Sequence, residues 1–133
     1  MYIYELEFKV RDYECDLQGI VNNAVYQNYL EHTRHEFLLD RNLSFSALHE
    51  QGIDAVVARI EIAFKSPLRS RDEFISKLNV KKDGVKYIFN QIIVRKSDDK
   101  LCVSAKVTTV VVVEGKLTSK FQQFDDLVAE SNQ

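Results

Sequence analysis

The apolar residues change period twice along this chain, and that switch limits the folds open to it. Tyr2, Leu6, Phe8 and Val10 alternate with Ile3, Glu5, Glu7 and Lys9, the period-2 pattern of a half-buried strand. From Asn23 the period lengthens: Tyr26, Tyr29, Leu30, Thr33, Phe37 and Leu38 recur at steps of three and four, one face of a helix that fades near Asn42. Asn22 or Asn23 supplies its cap. A short helical piece over Ser44 to Glu50, closed by Gly52, comes next.

Alternation then returns in four segments. Val56, Ala58, Ile60, Ile62 and Phe64 share one face, opposite Arg59, Glu61 and Lys65. Leu78 and Val80 lead to a hairpin turn at Asp83-Gly84, and Tyr87, Phe89 and Ile93 lead to a second turn at Ser97-Asp98-Asp99. Leu101 to Val111 is the longest strand, ended by Gly115, and Phe121, Phe124, Leu127 and Val128 mark an amphipathic terminal helix. One strand, one long helix and a tight-turned meander of four strands predict an α+β domain, its helix covered by a curved antiparallel sheet.

With one Pro and four Gly in 133 residues there is no flexible linker, so residues 1–133 read as a single domain. A net charge of -2 leaves no basic surplus and excludes a nucleic-acid footprint. No apolar run approaches the roughly 20 residues of a membrane span. The alternating, acid-bearing N-terminus is unlike a signal peptide, so a cytoplasmic location is expected. Cys15 and Cys102 are too far apart for a disulfide framework or a zinc site. The run Val110 to Val113 is apolar on both faces, as a strand buried on both sides or at a subunit interface would be, so an oligomer is expected.

Asp16 stands in a Gly-containing loop seven residues before Asn23. A carboxylate near a helix N-terminus can work on a carbonyl whose developing charge the helix N–H groups stabilise, or it can simply turn the chain. Glu31, two turns into the helix, is a second carboxylate for the site or the partner of His35 or Arg34. Asn22 and Asn23 can meet a carbonyl or a water while one of them caps the helix. Cys15 reads as a packing residue, and His32, His35 and His49 as surface residues without metal spacing. Lys65, Arg69 and Arg71 flank Ser66-Pro67-Leu68, where Arg can bind phosphate or merely solvate a turn. Phosphate loops, nucleophile elbows and dinucleotide fingerprints are absent.

The stretch Asp16 to Arg34 resembles the signature of hotdog-fold acyl-CoA thioesterases of the 4-hydroxybenzoyl-CoA thioesterase-like family. The matching features are the loop Asp16, the step Gly19-Ile20-Val21, the aromatics Tyr26 and Tyr29, and Glu31-His32-Thr33-Arg34. Phe64-Lys65-Ser66-Pro67-Leu68 through Asp72 is similar to the family's Pro-containing turn. The resemblance implies a long central helix wrapped by a five-stranded antiparallel sheet, with the C-terminal helix in addition. It implies homodimers or homotetramers with active sites at the dimer interface. It implies hydrolysis of an acyl- or aroyl-CoA, with Asp16 as nucleophile or general base and Glu31 as supporting carboxylate. Asn22, Asn23, Tyr26 and Arg69 would then bind substrate. Coenzyme A is part of that substrate, and no cofactor or metal is implied. An acyl-carrier-protein (ACP) thioesterase and a non-catalytic acyl-CoA binder are the alternatives. The Asn22-Asn23 pair looks like long-chain acyl-CoA and plant-type acyl-ACP thioesterases. Those carry His where this chain has Ile20, so a mechanism through that His is not available.

Overall fold

A computed structural model describes all 133 residues. The chain runs β1 (Tyr4–Lys9), α1 (Asn23–Asp40), α2 (Phe45–Glu50), β2 (Ile53–Phe64), β3 (Glu73–Asp83), β4 (Lys86–Arg95), β5 (Leu101–Val113), β6 (Lys116–Thr118) and α3 (Gln122–Ser131). A 3-10 turn at Asp12–Glu14 lies between β1 and the loop that holds Asp16. No helix is long and apolar enough to cross a membrane.

All pairings are antiparallel, in the order β1-β3-β4-β5-β2, with β6 added to β5. The expected four-strand meander therefore holds for β3, β4 and β5, while β2 lies at the far edge beside β5. Two long strands favour this placement, because β2 and β5 pair along their length from Ile53↔Val113 to Phe64↔Val103 with one irregularity. The link from β2 to β3 crosses the β4–β5 turn, where Arg95 Nη1 donates to the Pro67 carbonyl at 2.8 Å. The three-residue β6 escaped the sequence reading because it offers only one apolar residue, Leu117, to a period. Its turn, Glu114-Gly115, has both residues at positive φ, as two-residue hairpins require.

A bulge at Ala58 corrects the reading of β2. Val57 pairs with Thr109 but Arg59 with Thr108, so the alternation flips at Ala58. Val57, Ile60, Ile62 and Phe64 face the α1 side, opposite Thr109, Val107, Ala105 and Val103, whereas Val56 faces away.

The helix α1 lies on the concave face. Tyr26, Tyr29, Leu30, Thr33, Arg34, Phe37 and Leu38 are its buried stripe. Phe37 and Leu38 meet Leu78, Val80, Tyr87, Phe89 and the α3 residues Phe124 and Leu127 in one cluster. Tyr26, Tyr29 and Leu30 meet Phe74, Ile93 and Val103 in the other. Each such fully buried side chain contributes about 1.5–3 kcal/mol. Between the clusters runs a polar band, where Thr33 shares a 2.8 Å hydrogen bond with Ser76 and Arg34 one of 3.0 Å with Gln91. These contacts fix which end of α1 approaches the loop that precedes it.

Candidate active site

The loop before α1 is a small hairpin in its own right. Cys15 and Val21 form an antiparallel bridge, and the Asp16 N–H donates to the Ile20 carbonyl at 2.9 Å. Gly19 N–H returns to the Asp16 carbonyl at 3.0 Å, with Gly19 at φ 78, a conformation that favours glycine. Asp16 Oδ1 accepts from Gln18 N–H at 2.8 Å, and the side chain is exposed. The turn-forming role of Asp16 is thus realised, and it occupies one carboxylate oxygen.

Two anchors hold this hairpin to the helix start. Val21 N–H donates to the Leu68 carbonyl at 2.8 Å, and Asn22 N–H to the Glu14 carbonyl at 3.0 Å. Asn22 is the cap, its Oδ1 accepting from Ala24 N–H at 2.9 Å. The Asn23 N–H, one of the first-turn donors, has no protein acceptor. Glu14, buried, accepts from Tyr29 Oη at 2.9 Å and from Arg11 N–H at 2.7 Å. Burial and this carboxylate raise the Tyr29 hydroxyl far above the usual tyrosine range, so Tyr29 stays a neutral donor.

Asn23 and Tyr26 line a cleft of about 290 Å³ with Ile20, Phe64, Lys65 and Pro67. Tyr26 Oη accepts from Leu68 N–H at 3.2 Å, and burial raises its hydroxyl above the usual value. Its ring lies 5.5 Å from that of Phe64. The cleft therefore joins an apolar wall to a free backbone donor at the positive end of a helix, an arrangement suited to an ester-like carbonyl.

The other sequence candidates are placed apart from this cleft. Glu31 is eight residues beyond Asn23, about 12 Å along the axis, and its Oε1 is 3.9 Å from His35 Nε2. Arg69, exposed, bridges Ile20 through its backbone and lines a neighbouring cavity of about 440 Å³ with Ser66, Pro67, Arg95 and Lys100. There Arg95 is tied to Asp98 by two hydrogen bonds, whereas the Arg69 guanidinium has no ion pair. Burial raises the Cys15 thiol, with Asp12 and Asp16 acting in the same direction, so it is no ready thiolate. Sequence reasoning named Arg34 only as a possible partner of Glu31 and as the end of the matching signature, and did not single out Gln91. The signal was there, since both are polar residues at positions that the helix and strand periods turn inward.

The profile of the thioesterase-like superfamily matches residues 10–130. A chloroplastic acyl-acyl carrier protein thioesterase of Arabidopsis thaliana is 34% identical over 137 residues, covering 94% of this chain and 72% of that protein. A long-chain acyl-CoA thioesterase of Escherichia coli is 26% identical over 129 residues, 90% of this chain and 97% of its own. Among solved structures, a 1,4-dihydroxy-2-naphthoyl-CoA thioesterase from Synechocystis superposes with a TM-score of 0.88 at 16% identity, covering 98% of each chain. That superposition establishes the hotdog fold.

Proposed function

The chain belongs to the thioesterase-like superfamily, and from that premise we propose that it hydrolyses the thioester of an acyl-CoA, with Asp16 as the working carboxylate. The observation that carries the reading is the unpartnered N–H of Asn23 at the capped start of α1, a residue that lines one cleft with Tyr26 and Phe64. A thioester carbonyl bound there has its oxygen on the Asn23 N–H, which stabilises the oxyanion formed on attack. Asp16 either attacks the carbonyl carbon or takes the proton of the attacking water. The carbon–sulfur bond then breaks, and coenzyme A leaves as a thiolate that takes up a proton. Where Asp16 has attacked, water then cleaves the acyl–Asp16 anhydride, releasing the free acid and restoring the carboxylate. Arg69, free of ion pairing beside the cleft, meets a phosphate of the coenzyme A tail, and Glu31 supports the site from farther along α1.

A second copy completes this arrangement. The β2 edge has no partner strand, and Val56, Val57, Ile60 and Phe64 on it are 45%, 42%, 38% and 49% exposed. An unpaired apolar edge of this length is a template for pairing, and Phe64 would carry the interface to the cleft. A homodimer, alone or doubled into a tetramer, is the working unit.

A carrier-protein thioester is the second reading, favoured by the 34% identity to the Arabidopsis acyl-acyl carrier protein thioesterase. The test is thiol release from short, long and aromatic acyl-CoAs beside the same acyl groups on a carrier protein. Turnover of free acyl-CoA supports the main reading, turnover of carrier-bound acyl groups alone the second. Binding of acyl-CoA without turnover of any substrate would make the chain a binder.

A further inference from the structure

Arg34 is 6% exposed, yet no carboxylate lies within ion-pair distance of it. Its one hydrogen bond in the protein runs from Nη1 to Oε1 of Gln91 at 3.0 Å. Among buried side-chain polar atoms only Asp125 Oδ2 is sealed without a partner, so Arg34 Nε and Nη2 are not sealed into the core. Arg34 lines a cavity of about 300 Å³ together with Glu31, His35, Phe45, Val57, Phe89 and Thr109. Phe45, Val57 and Phe89 offer no acceptor, and the Thr109 hydroxyl donates to the Tyr87 carbonyl at 2.7 Å. Exposed Glu31, whose charge acts on Arg34, stands 3.9 Å from His35. The guanidinium is largely buried but its free donors still reach solvent, so a ligand acceptor can replace water on them.

The position of this cavity suggests the acceptor. The cleft and the cavity both take residues from α1 and β2: Asn23, Tyr26 and Phe64 line the cleft, Arg34 and Val57 the cavity. Arg34 is eleven residues beyond Asn23, about 16 Å along the helix axis. We propose that the Arg34 cavity is a specificity site that receives an acyl group bearing a hydrogen-bond-accepting oxygen remote from the thioester, and that Arg34 holds that oxygen. This rests on the thioesterase reading above and names the kind of acyl group that reading leaves open. A carboxylate, a ketone and a hydroxyl share the required chemistry.

The experiment compares acyl-CoAs of equal length ending in a carboxylate, a hydroxyl or a methyl group, over a series of lengths, in wild type and Arg34→Met. Wild type should show kcat/KM about 10-fold higher for an oxygen-ended acyl group than for its methyl-ended match, the worth of a hydrogen bond to a charged group. Arg34→Met should bring that ratio near one while still cleaving the methyl-ended thioester. A general structural defect would lower both rates together. The preferred terminus separates an anionic from a neutral ligand. Equal rates, or preference for the methyl end at every length, overturn the proposal from wild type alone, even if Arg34→Met fails to fold. If no acyl-CoA is cleaved, the acyl-CoA reading is what fails, and the cavity is then read by thermal shift with the same uncleaved acyl-CoAs. Greater stabilisation by the oxygen-ended acyl-CoAs than by their methyl-ended matches supports the site; equal stabilisation or none overturns it.

Discussion

Arg34 and Gln91 join α1 to β4 through a two-way arrangement: Arg34 Nη1 donates to Gln91 Oε1 at 3.0 Å, and Gln91 Nε2 donates to the Leu30 carbonyl at 3.1 Å. Gln91 is fully buried, so both contacts are made out of reach of water. Gln91→Leu removes the sole protein acceptor of the Arg34 guanidinium and should destabilise the fold by about 2–3 kcal/mol. Urea denaturation with an unchanged m-value would record this; a loss below about 0.5 kcal/mol would contradict it.

The Asn22 cap sets where α1 begins and hence where the Asn23 N–H points. Asn22→Ala should cost about 1 kcal/mol of stability, and Asn22→Asp, which keeps the acceptor, much less. If the helix start positions the oxyanion donor, Asn22→Ala should also lower kcat more than it raises KM. Steady-state kinetics beside thermal unfolding checks both.

His35 packs against the Phe45 ring at a centroid distance of 4.6 Å, and burial holds its imidazole below the usual histidine range. Arg34 and His32 act in the same direction, and Glu31 and Glu36 oppose them. The neutral form is thus favoured in the folded state. Its stabilising contribution is present above the unfolded histidine value of about 6.5 and is lost as pH falls through the lower folded value. Stability should therefore fall between about pH 7.5 and 5.5, and less steeply in His35→Gln. Identical pH slopes in the two proteins would contradict the assignment.

The unpaired β2 edge makes a prediction about assembly. Wild type should sediment as a dimer or tetramer, and Val56→Lys with Ile60→Lys should shift it toward monomer by placing charge on that edge. A wild-type monomer, or an assembly indifferent to both substitutions, would exclude β2 as the interface.

The sequence disclosed a good deal of this molecule because periodicity reports burial. Tyr26, Tyr29, Leu30, Thr33, Phe37 and Leu38 all lie on the buried stripe of α1, and the Asp83-Gly84 turn stands where its residues place it, with Gly84 at φ 61. The position of β2 was not legible, since strand order depends on long-range pairing that no local pattern encodes. The flip at Ala58 was hidden too, because a bulge leaves the run apolar while changing which residues face the helix. For the site, the cap at Asn22 could be read from residue type, whereas the Glu31 separation needed the helix in three dimensions. Arg34 was visible as a charged residue on an apolar stripe, but its partner Gln91 lies 57 positions away.

The central claim, that Asp16 drives thioester hydrolysis, is tested most directly by thiol release from an acyl-CoA panel with wild type and Asp16→Asn side by side. Asparagine keeps the oxygen that accepts from Gln18 N–H, so the turn should persist while the charge is lost. The account predicts wild-type turnover that falls at least about 100-fold in Asp16→Asn at unchanged thermal stability. Equal turnover by the two proteins would contradict it.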